Sequence, residues 1–267
     1  MSYELKDRVV FITGASSGIG RACAVEYCRA GSRVVAAARS FEKLEALAGA
    51  LGRDRVVPVA MDVTDPVERA IAVRTARERF GAIDVLVNNA GWASFTSVAK
   101  MPPDHLERML AVNLSGPVAM IQAVLPEMVK RGHGQIVNVS SVVGYQAIPR
   151  MTVYCATKAA LNALSSGLRM ELWGTGVDVL LVAPGSTSTG FFDAAAKVDA
   201  DASRLSQTQY SAERVAKAVV RSSRRRRREV TLTLEGNLIT LIRRFSRRAA
   251  DGIMRKVAER SMPRVGS

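Results

Sequence analysis

The chain has 267 residues, 48% hydrophobic and 23% charged, which suits a globular unit with a sizeable core and excludes a low-complexity or disordered chain. Three cysteines without metal-ligand spacing argue for reduced thiols, and two histidines are too few for a His-based metal site or triad. The net charge of +14 is unevenly placed: residues 204–267 carry 17 Lys+Arg against 5 Asp+Glu, so the preceding 203 residues are nearly neutral.

In chain order, Val9–Thr13 is a short apolar run ending at glycine, with no basic-then-apolar leader before it, so no signal peptide is expected. A helix follows over 19–29, a strand at Arg33–Ala38, a helix at Phe41–Leu51 and a strand over 56–61. Helix 67–80 precedes strand 83–88, and a long helical region over 106–128 precedes strand 135–140. Helix 153–173 then leads to the apolar run Val177–Ala183. No run of 18 or more apolar residues is present, which argues against a spanning helix. Short apolar runs alternating with longer periodic segments predict an α/β fold with a mostly parallel sheet covered by helices on both faces. Ligands of such sheets bind outside the carboxyl ends of the strands. Thr13-Gly14, Asp62, Asn88, Ser140-Ser141 and Pro184-Gly185 each fall at such an end.

The first of these, Thr13-Gly14-Ala15-Ser16-Ser17-Gly18-Ile19-Gly20, joins a strand to a helix with spacing G-x-x-x-G-x-G. Glycines there permit a sharp turn and close approach of a pyrophosphate, which a helix N-terminus attracts. Where an NAD-binding fold places a carboxylate for the adenosine ribose, this chain reads Ala36-Ala37-Ala38-Arg39-Ser40. A guanidinium suits a 2′-phosphate, so NADP is expected over NAD, the alternative being that Arg39 is a solvated helix-start residue. Tyr154 and Lys158, four apart on one helical face, lie 13 residues after Ser141. An ammonium beside the phenol can bring it from about 10 toward neutrality, and a serine hydroxyl can hold a substrate oxygen. Alone, Tyr-x-x-x-Lys is more often a half-buried tyrosine beside a solvated lysine; its company changes that balance.

From about residue 7 to 220 the chain resembles the short-chain dehydrogenase/reductase family, through the glycine loop, Asp62-Val63, Asn88-Asn89-Ala90-Gly91, Asn113, Ser141, Tyr154/Lys158 and Pro184-Gly185 in the family's order. The resemblance implies a Rossmann-type doubly wound sheet and reversible alcohol/carbonyl oxidoreduction. It implies that Tyr154 is the general acid or base, and that Lys158 lowers its pKa and binds the nicotinamide ribose. Ser141, preferred over Ser140 by its spacing, orients the substrate oxygen, and Asn113 holds a relay water. Gly14, Ser16, Ser17, Gly18, Ile19, Gly20 and Arg39 belong to the cofactor. By the same resemblance Asp62 and Val63 meet adenine, Asn89, Ala90 and Gly91 lie along the cofactor, and Pro184, Gly185, Thr187 and Thr189 fasten the carboxamide. No metal is expected. A homo-dimer or homo-tetramer is implied, pairing helices 106–128 and 153–173.

Trp92, Phe95, Val143, Tyr145, Ile148 and Met151 flank these motifs and are expected walls of an apolar pocket, with Ser141, Val143, Tyr145 and Tyr154 at the substrate itself; a variable loop follows Thr189. Arg150-Met151-Thr152-Val153-Tyr154 stands where thioester-reducing family members often show Gly-Gln-x-x-Tyr. A division into a catalytic domain, 1–220, and a basic extension, 221–267, is expected. The extension opens with five arginines, 224–228, then an alternating strand over 230–234. Leu238, Leu241, Ile242, Phe245, Ala249, Ile253 and Val257 follow as one apolar helical stripe, with Arg243, Arg244, Arg247, Arg248, Arg255 and Lys256 largely off it. Such a helix meets a membrane surface or partner, or packs on its own domain. The expected function is NADP(H)-dependent interconversion of a lipophilic alcohol and carbonyl compound by a cytoplasmic enzyme, with peripheral membrane contact through the extension as an open alternative. An acyl-thioester ketoreductase is the rival enzyme. A polyanion-binding protein on the same fold is the non-enzymatic rival, and no nucleic-acid-reading motif supports it.

Overall fold

The computed structural model describes residues 3–198 and 210–232, together with 242, 245, 246, 248, 250–254 and 256. Its elements run β1 (Val9–Thr13), α1 (Gly18–Arg29), β2 (Arg33–Ala38), α2 (Phe41–Leu51), β3 (Val56–Ala60), α3 (Pro66–Phe80) and β4 (Val85–Asn88). The short β5 (Ser94–Phe95) precedes α4 (Pro103–Leu110), α5 (Gly116–Arg131), β6 (Gly134–Val139), α6 (Thr152–Glu171) and β7 (Val177–Ala183). Then come β8 (Thr187–Ser188), α7 (Phe191–Ala194), β9 (Ala196–Lys197), β10 (Tyr210–Ser211), α8 (Ala212–Arg224) and β11 (Glu229–Thr231).

Seven strands form one parallel sheet in the order β11-β7-β6-β4-β1-β2-β3, the doubly wound arrangement expected from the alternation. The strands are apolar throughout because both faces are covered. Along β1, Val10 and Ile12 pack with Tyr27, Leu44 and Val219 on one side, while Val9 and Phe11 pack with Met120 and Val124 on the other. The chain reverses its direction of winding between β1 and β4, and the ends of these strands open the crevice that holds the site.

Local chemistry sets the ends of the helices. Asp65 caps α3 by accepting from the amides of Val67 and Glu68, with Pro66 at the first turn. α5 stops at Gly132, which takes the left-handed conformation at φ 69°. Below the sheet, Asp84 accepts from the Val9 amide at 3.0 Å and lies 3.5, 3.3 and 3.4 Å from Arg8, Arg131 and His133. His133, in the turn after α5, thus reaches the Asp84 carboxylate. Asp84→Ala leaves these donors without their acceptor and is expected to cost about 2–3 kcal/mol, less than a fully buried pair because the arginines are partly wet. A urea midpoint unchanged from wild type would refute that role.

Three features depart from expectation. α8 is not among the expected elements, although Ser211 caps it and Val215, Ala216, Val219 and Val220 bury one face against α1. The expected boundary at residue 220 runs through α8, and β11, assigned to the extension, is the seventh strand of the sheet. The helical region 106–128 is longer than expected and not uniformly α: α4 and α5 are joined by a π-helical turn, Ala111–Ser115. The stretch Pro103–Arg131 is the one described helical run long and apolar enough to cross a membrane, but α5 packs Met120, Ile121, Val124 and Met128 into the core. Of strand 230–234, residues 233 and 234 lie outside the described residues, as do Leu238, Leu241, Ala249 and Val257 of the stripe and Arg243, Arg244, Arg247 and Arg255 beside it.

Candidate active site

A cavity of about 1150 Å³ opens at the carboxyl ends of the strands, above the usual range of roughly 300–1,000 Å³ for a small-molecule pocket. One end is built by the β1–α1 loop. Gly14 and Gly18 adopt φ of +66° and +52°, and a Cβ on Gly18 would stand 2.8 Å from that of Thr189. A Cβ on Gly20 would overlap the Gly14 carbonyl oxygen and the Asn89 amide, so this glycine serves packing of the loop and does not itself line the cavity. α1 begins at Gly18 with no side-chain cap from Ser17 and no acidic residue in its first turn, which leaves its amide end open to an anion. Gly14, Ser16, Ser17, Gly18 and Ile19 all face the cavity.

The neighbouring loops are stitched to this one. Thr13 Oγ1 accepts from the amides of Asn89 and Ala90, each at 3.0 Å, and the Asn89 side chain donates to the carbonyls of Thr13 and Gly14 at 2.9 and 3.2 Å. Asn89, Ala90 and Gly91 line the cavity, with the Asn89 amide group spent on the loop. Arg39 lines it from the end of β2, exposed, opposite Asp62 and Val63. Partial burial pushes the Asp62 carboxyl up, but hydrogen bonds from the Thr64 amide and hydroxyl, with Arg39 and Arg108 nearby, hold it below its ordinary range. Arg108 is a site residue that no local motif marks: it lies over the Trp92 ring at 4.5 Å and lines the cavity.

At the other end Ser141, Tyr154 and Lys158 come together on one wall. Ser140, the rival serine, has its hydroxyl committed to the Lys158 carbonyl and Asn162, whereas Ser141 Oγ accepts from the Val143 amide and makes only a long 3.4 Å contact to the Pro184 carbonyl. Lys158 sits with Nζ 5.8 Å from the centre of the Tyr154 ring and donates to the Val139 carbonyl at 3.0 Å. Both side chains are buried, and burial sets their proton affinities. It pushes the Lys158 amine down to about 8 and the Tyr154 phenol well above its usual value, with Cys155 adding to the latter. Burial thus raises the phenol, in the direction opposite to the lowering expected from the ammonium.

Asn113 also differs from expectation. It is 0% exposed in the π turn and does not line the cavity. Its side-chain oxygen accepts from the Trp92 amide at 2.8 Å, and its Nδ2 donates to the Trp92 carbonyl at 2.8 Å and to Thr157 at 3.1 Å. The Asn113 side chain is therefore engaged in fixing the loop after β4 to α6.

Pro184, Gly185, Thr187 and Thr189 line the cavity as expected, as do Trp92, Val143, Ile148 and Met151. Phe95 is instead a core residue, and Tyr145 turns away, its hydroxyl donating to Glu229 at the start of β11. The wall is completed by Phe191, whose ring centre is 5.7 Å from that of Tyr154, and by Ile242, Ile253 and Met254 of the C-terminal segment. That segment is tied down by a hydrogen bond from Gln146 to Asp251 and by buried Ala250. Part of the apolar stripe thus packs on its own domain, while Phe245 stays 82% exposed and Arg248 and Lys256 face solvent.

A family model described as short chain dehydrogenase matches residues 8–200. An uncharacterised oxidoreductase of Staphylococcus saprophyticus is 40% identical over 192 residues, 71% of this chain and 78% of that protein. One from Staphylococcus aureus is 36% identical over 185 residues, 69% and 80% of the two chains. Among solved structures, a short-chain dehydrogenase from Streptomyces avermitilis superposes with a TM-score of 0.82 at 29% identity, covering 95% of this chain and 98% of its own. An alcohol dehydrogenase from Thermococcus sibiricus, complexed with 5-hydroxy-NADP, gives 0.75 at 28% identity over 85% and 96%.

Proposed function

The chain belongs to the short-chain dehydrogenase family, and from that membership we propose that it is an NADP(H)-dependent oxidoreductase interconverting a ketone or aldehyde and the corresponding alcohol on a lipophilic small molecule. The observation that carries this reading is the single cavity lined by the open α1 N-terminus at one end and by Ser141, Tyr154 and Lys158 at the other. The glycine cradle fits a dinucleotide, because its backbone is bare where a Cβ would stand against Thr189. Gly14 to Ile19 would hold the pyrophosphate and Arg39 the 2′-phosphate, with Asp62 and Val63 at the adenine and Thr187 and Thr189 at the nicotinamide end. When bound, the cofactor supplies or accepts the hydride.

The remaining chemistry belongs to the protein. The Tyr154 hydroxyl is protonated at neutral pH and can give its proton to a carbonyl oxygen as that oxygen gains charge; burial, which raises its proton affinity, opposes that transfer. Ser141, with its hydroxyl weakly engaged, holds the same oxygen in place. Lys158 is the cation behind the phenol, and Asn113 positions the Trp92 loop and α6. Met151, Ile148, Phe191 and Ile253 give the substrate end an apolar lining, which supports a lipophilic substrate and exclusion of water. The Thermococcus protein's complex with 5-hydroxy-NADP supports the phosphorylated cofactor as one that the family accepts. Against the thioester alternative, Arg150 stands where such enzymes often carry glycine and buries a side chain there, although its backbone at φ 62° keeps the conformation a glycine would take.

Fluorescence titration with NADPH and NADH tests the cofactor assignment. Wild type is expected to prefer NADPH, and Arg39→Asp to lose about ten- to a hundredfold in NADPH affinity, the worth of a charge-assisted contact, with NADH little changed. Equal loss for both nucleotides, or none, would remove Arg39 from the 2′-phosphate.

A further inference from the structure

The helical run that begins with α4 turns one edge into the cavity. Arg108 in α4 and Val112 in the π turn, four residues apart, both line it. Four residues further on, Gly116 lies against the β3–α3 loop so closely that a Cβ on it would stand 2.9 Å from a methyl of Val63. That contact sets this edge beside Asp62 and Val63, at the adenosine end of the cavity. Arg39 and Arg108 are the two cationic side chains that act on the Asp62 carboxylate. Among the described residues Arg108 forms no ion pair, and its guanidinium carbon rests 4.5 Å from the centre of the Trp92 ring. Trp92 is braced in turn: His105 meets its ring edge-on at 5.2 Å, and Asn113 holds both its backbone amide and its carbonyl. A guanidinium laid on a fixed ring keeps its charge and gives up less freedom when a ligand binds.

Given the dinucleotide reading of the cavity, on which this rests, we propose that Arg108 is a second guanidinium for the adenosine 2′-phosphate of NADP(H), shared with Arg39. Charge counting favours a pair. A phosphate monoester carries about −1.5 to −2 at neutral pH, and Asp62 adds a carboxylate at the same end of the cavity. Arg39 alone would leave that end strongly negative, whereas two guanidinium groups bring it close to balance. Both arginines are exposed in the unliganded chain, so the phosphate meets them without a buried ion pair having to break first. An anionic substrate is the other ligand that such a side chain could take. The substrate end, lined by Ile148, Met151 and Phe191, is apolar, and Arg108 stands on the Val63 side instead.

The test is titration of the full chain with NADPH and NADH, and displacement of bound NADPH by adenosine 2′,5′-bisphosphate and by AMP. Arg108→Ala is expected to weaken NADPH and the bisphosphate about five- to tenfold, as suits a partly solvated charged contact, and to leave NADH and AMP at their wild-type values. The loss should shrink as salt is raised. Arg108→Lys keeps the charge and should recover part of the affinity. Arg39→Ala combined with Arg108→Ala should bind NADPH and NADH about equally. Equal weakening of both nucleotides by Arg108→Ala would assign the side chain to packing or to the adenine. A raised KM for the carbonyl substrate with NADPH affinity unchanged would assign it to the substrate, and either result overturns the proposal. A preference for NADPH that Arg39→Asp removes and Arg108→Ala leaves untouched overturns it too, with the cofactor assignment still standing. Wild type that binds neither nucleotide removes both.

Discussion

Tyr154→Phe is expected to lower carbonyl reduction by about 10²–10⁴-fold, the usual contribution of a positioned general acid, while NADPH affinity stays at the wild-type value. The substitution removes one hydroxyl from a buried ring that packs on Phe191 and leaves the glycine loop untouched. Removing that proton donor leaves Ser141 alone at the substrate oxygen, and a serine hydroxyl has no cation behind it to replace what it gives away. Single-turnover oxidation of bound NADPH, measured beside the fluorescence titration, separates the two effects. A parallel loss of cofactor affinity would mean that Tyr154 holds the cofactor and does not move the proton.

Lys158→Met is expected to be nearly inactive and yet more stable than wild type at pH 7. The amine is buried, and folding lowers its pKa from the ordinary 10.5 to about 8. The unfolded chain therefore binds the proton more tightly, so the group costs stability fully below pH 8 and progressively less as pH rises toward 10.5. At about 1.4 kcal/mol per pH unit that cost is roughly 3 kcal/mol, and the lost bond to the Val139 carbonyl offsets about 1, leaving a gain near 2 kcal/mol. Urea unfolding at pH 7 and at pH 10 reads it: the gain should be present at the first and nearly gone at the second. A variant less stable than wild type at pH 7 would show that the ammonium supports the fold. The same titration makes reductive activity decline as pH rises through about 8, where Lys158 loses its charge.

Much of this is legible in the sequence because the fold is built of strands buried on both faces, whose apolar runs leave little ambiguity. Val9–Thr13, Arg33–Ala38 and Val177–Ala183 have the bounds that their residues suggest. The motifs are legible for a related reason: strand ends converge in a doubly wound sheet, so residues far apart in the chain meet there. What escapes is set by partners distant in sequence. Nothing near Asn113 says that its amide is spent on the Trp92 backbone, and nothing near Tyr145 points to Glu229, 84 residues on. Spacing places Lys158 beside Tyr154, but the loss of hydration that pushes their proton affinities apart depends on the whole fold around them. α8 does carry local cues, in Ser211 and the apolar positions 215, 216, 219 and 220, but the arginine run that follows it dominates the composition there.

The most direct measurement is transfer of deuterium from NADPH labelled at C4 of the nicotinamide to a panel of lipophilic ketones, with wild type and Tyr154→Phe side by side. The prediction is label at the carbinol carbon of the alcohol formed by wild type, and a rate at least about a hundredfold lower in the variant. Saturating NADPH binding with no labelled alcohol from any ketone or aldehyde, or equal labelling by the two proteins, would contradict a carbonyl reductase that works through Tyr154.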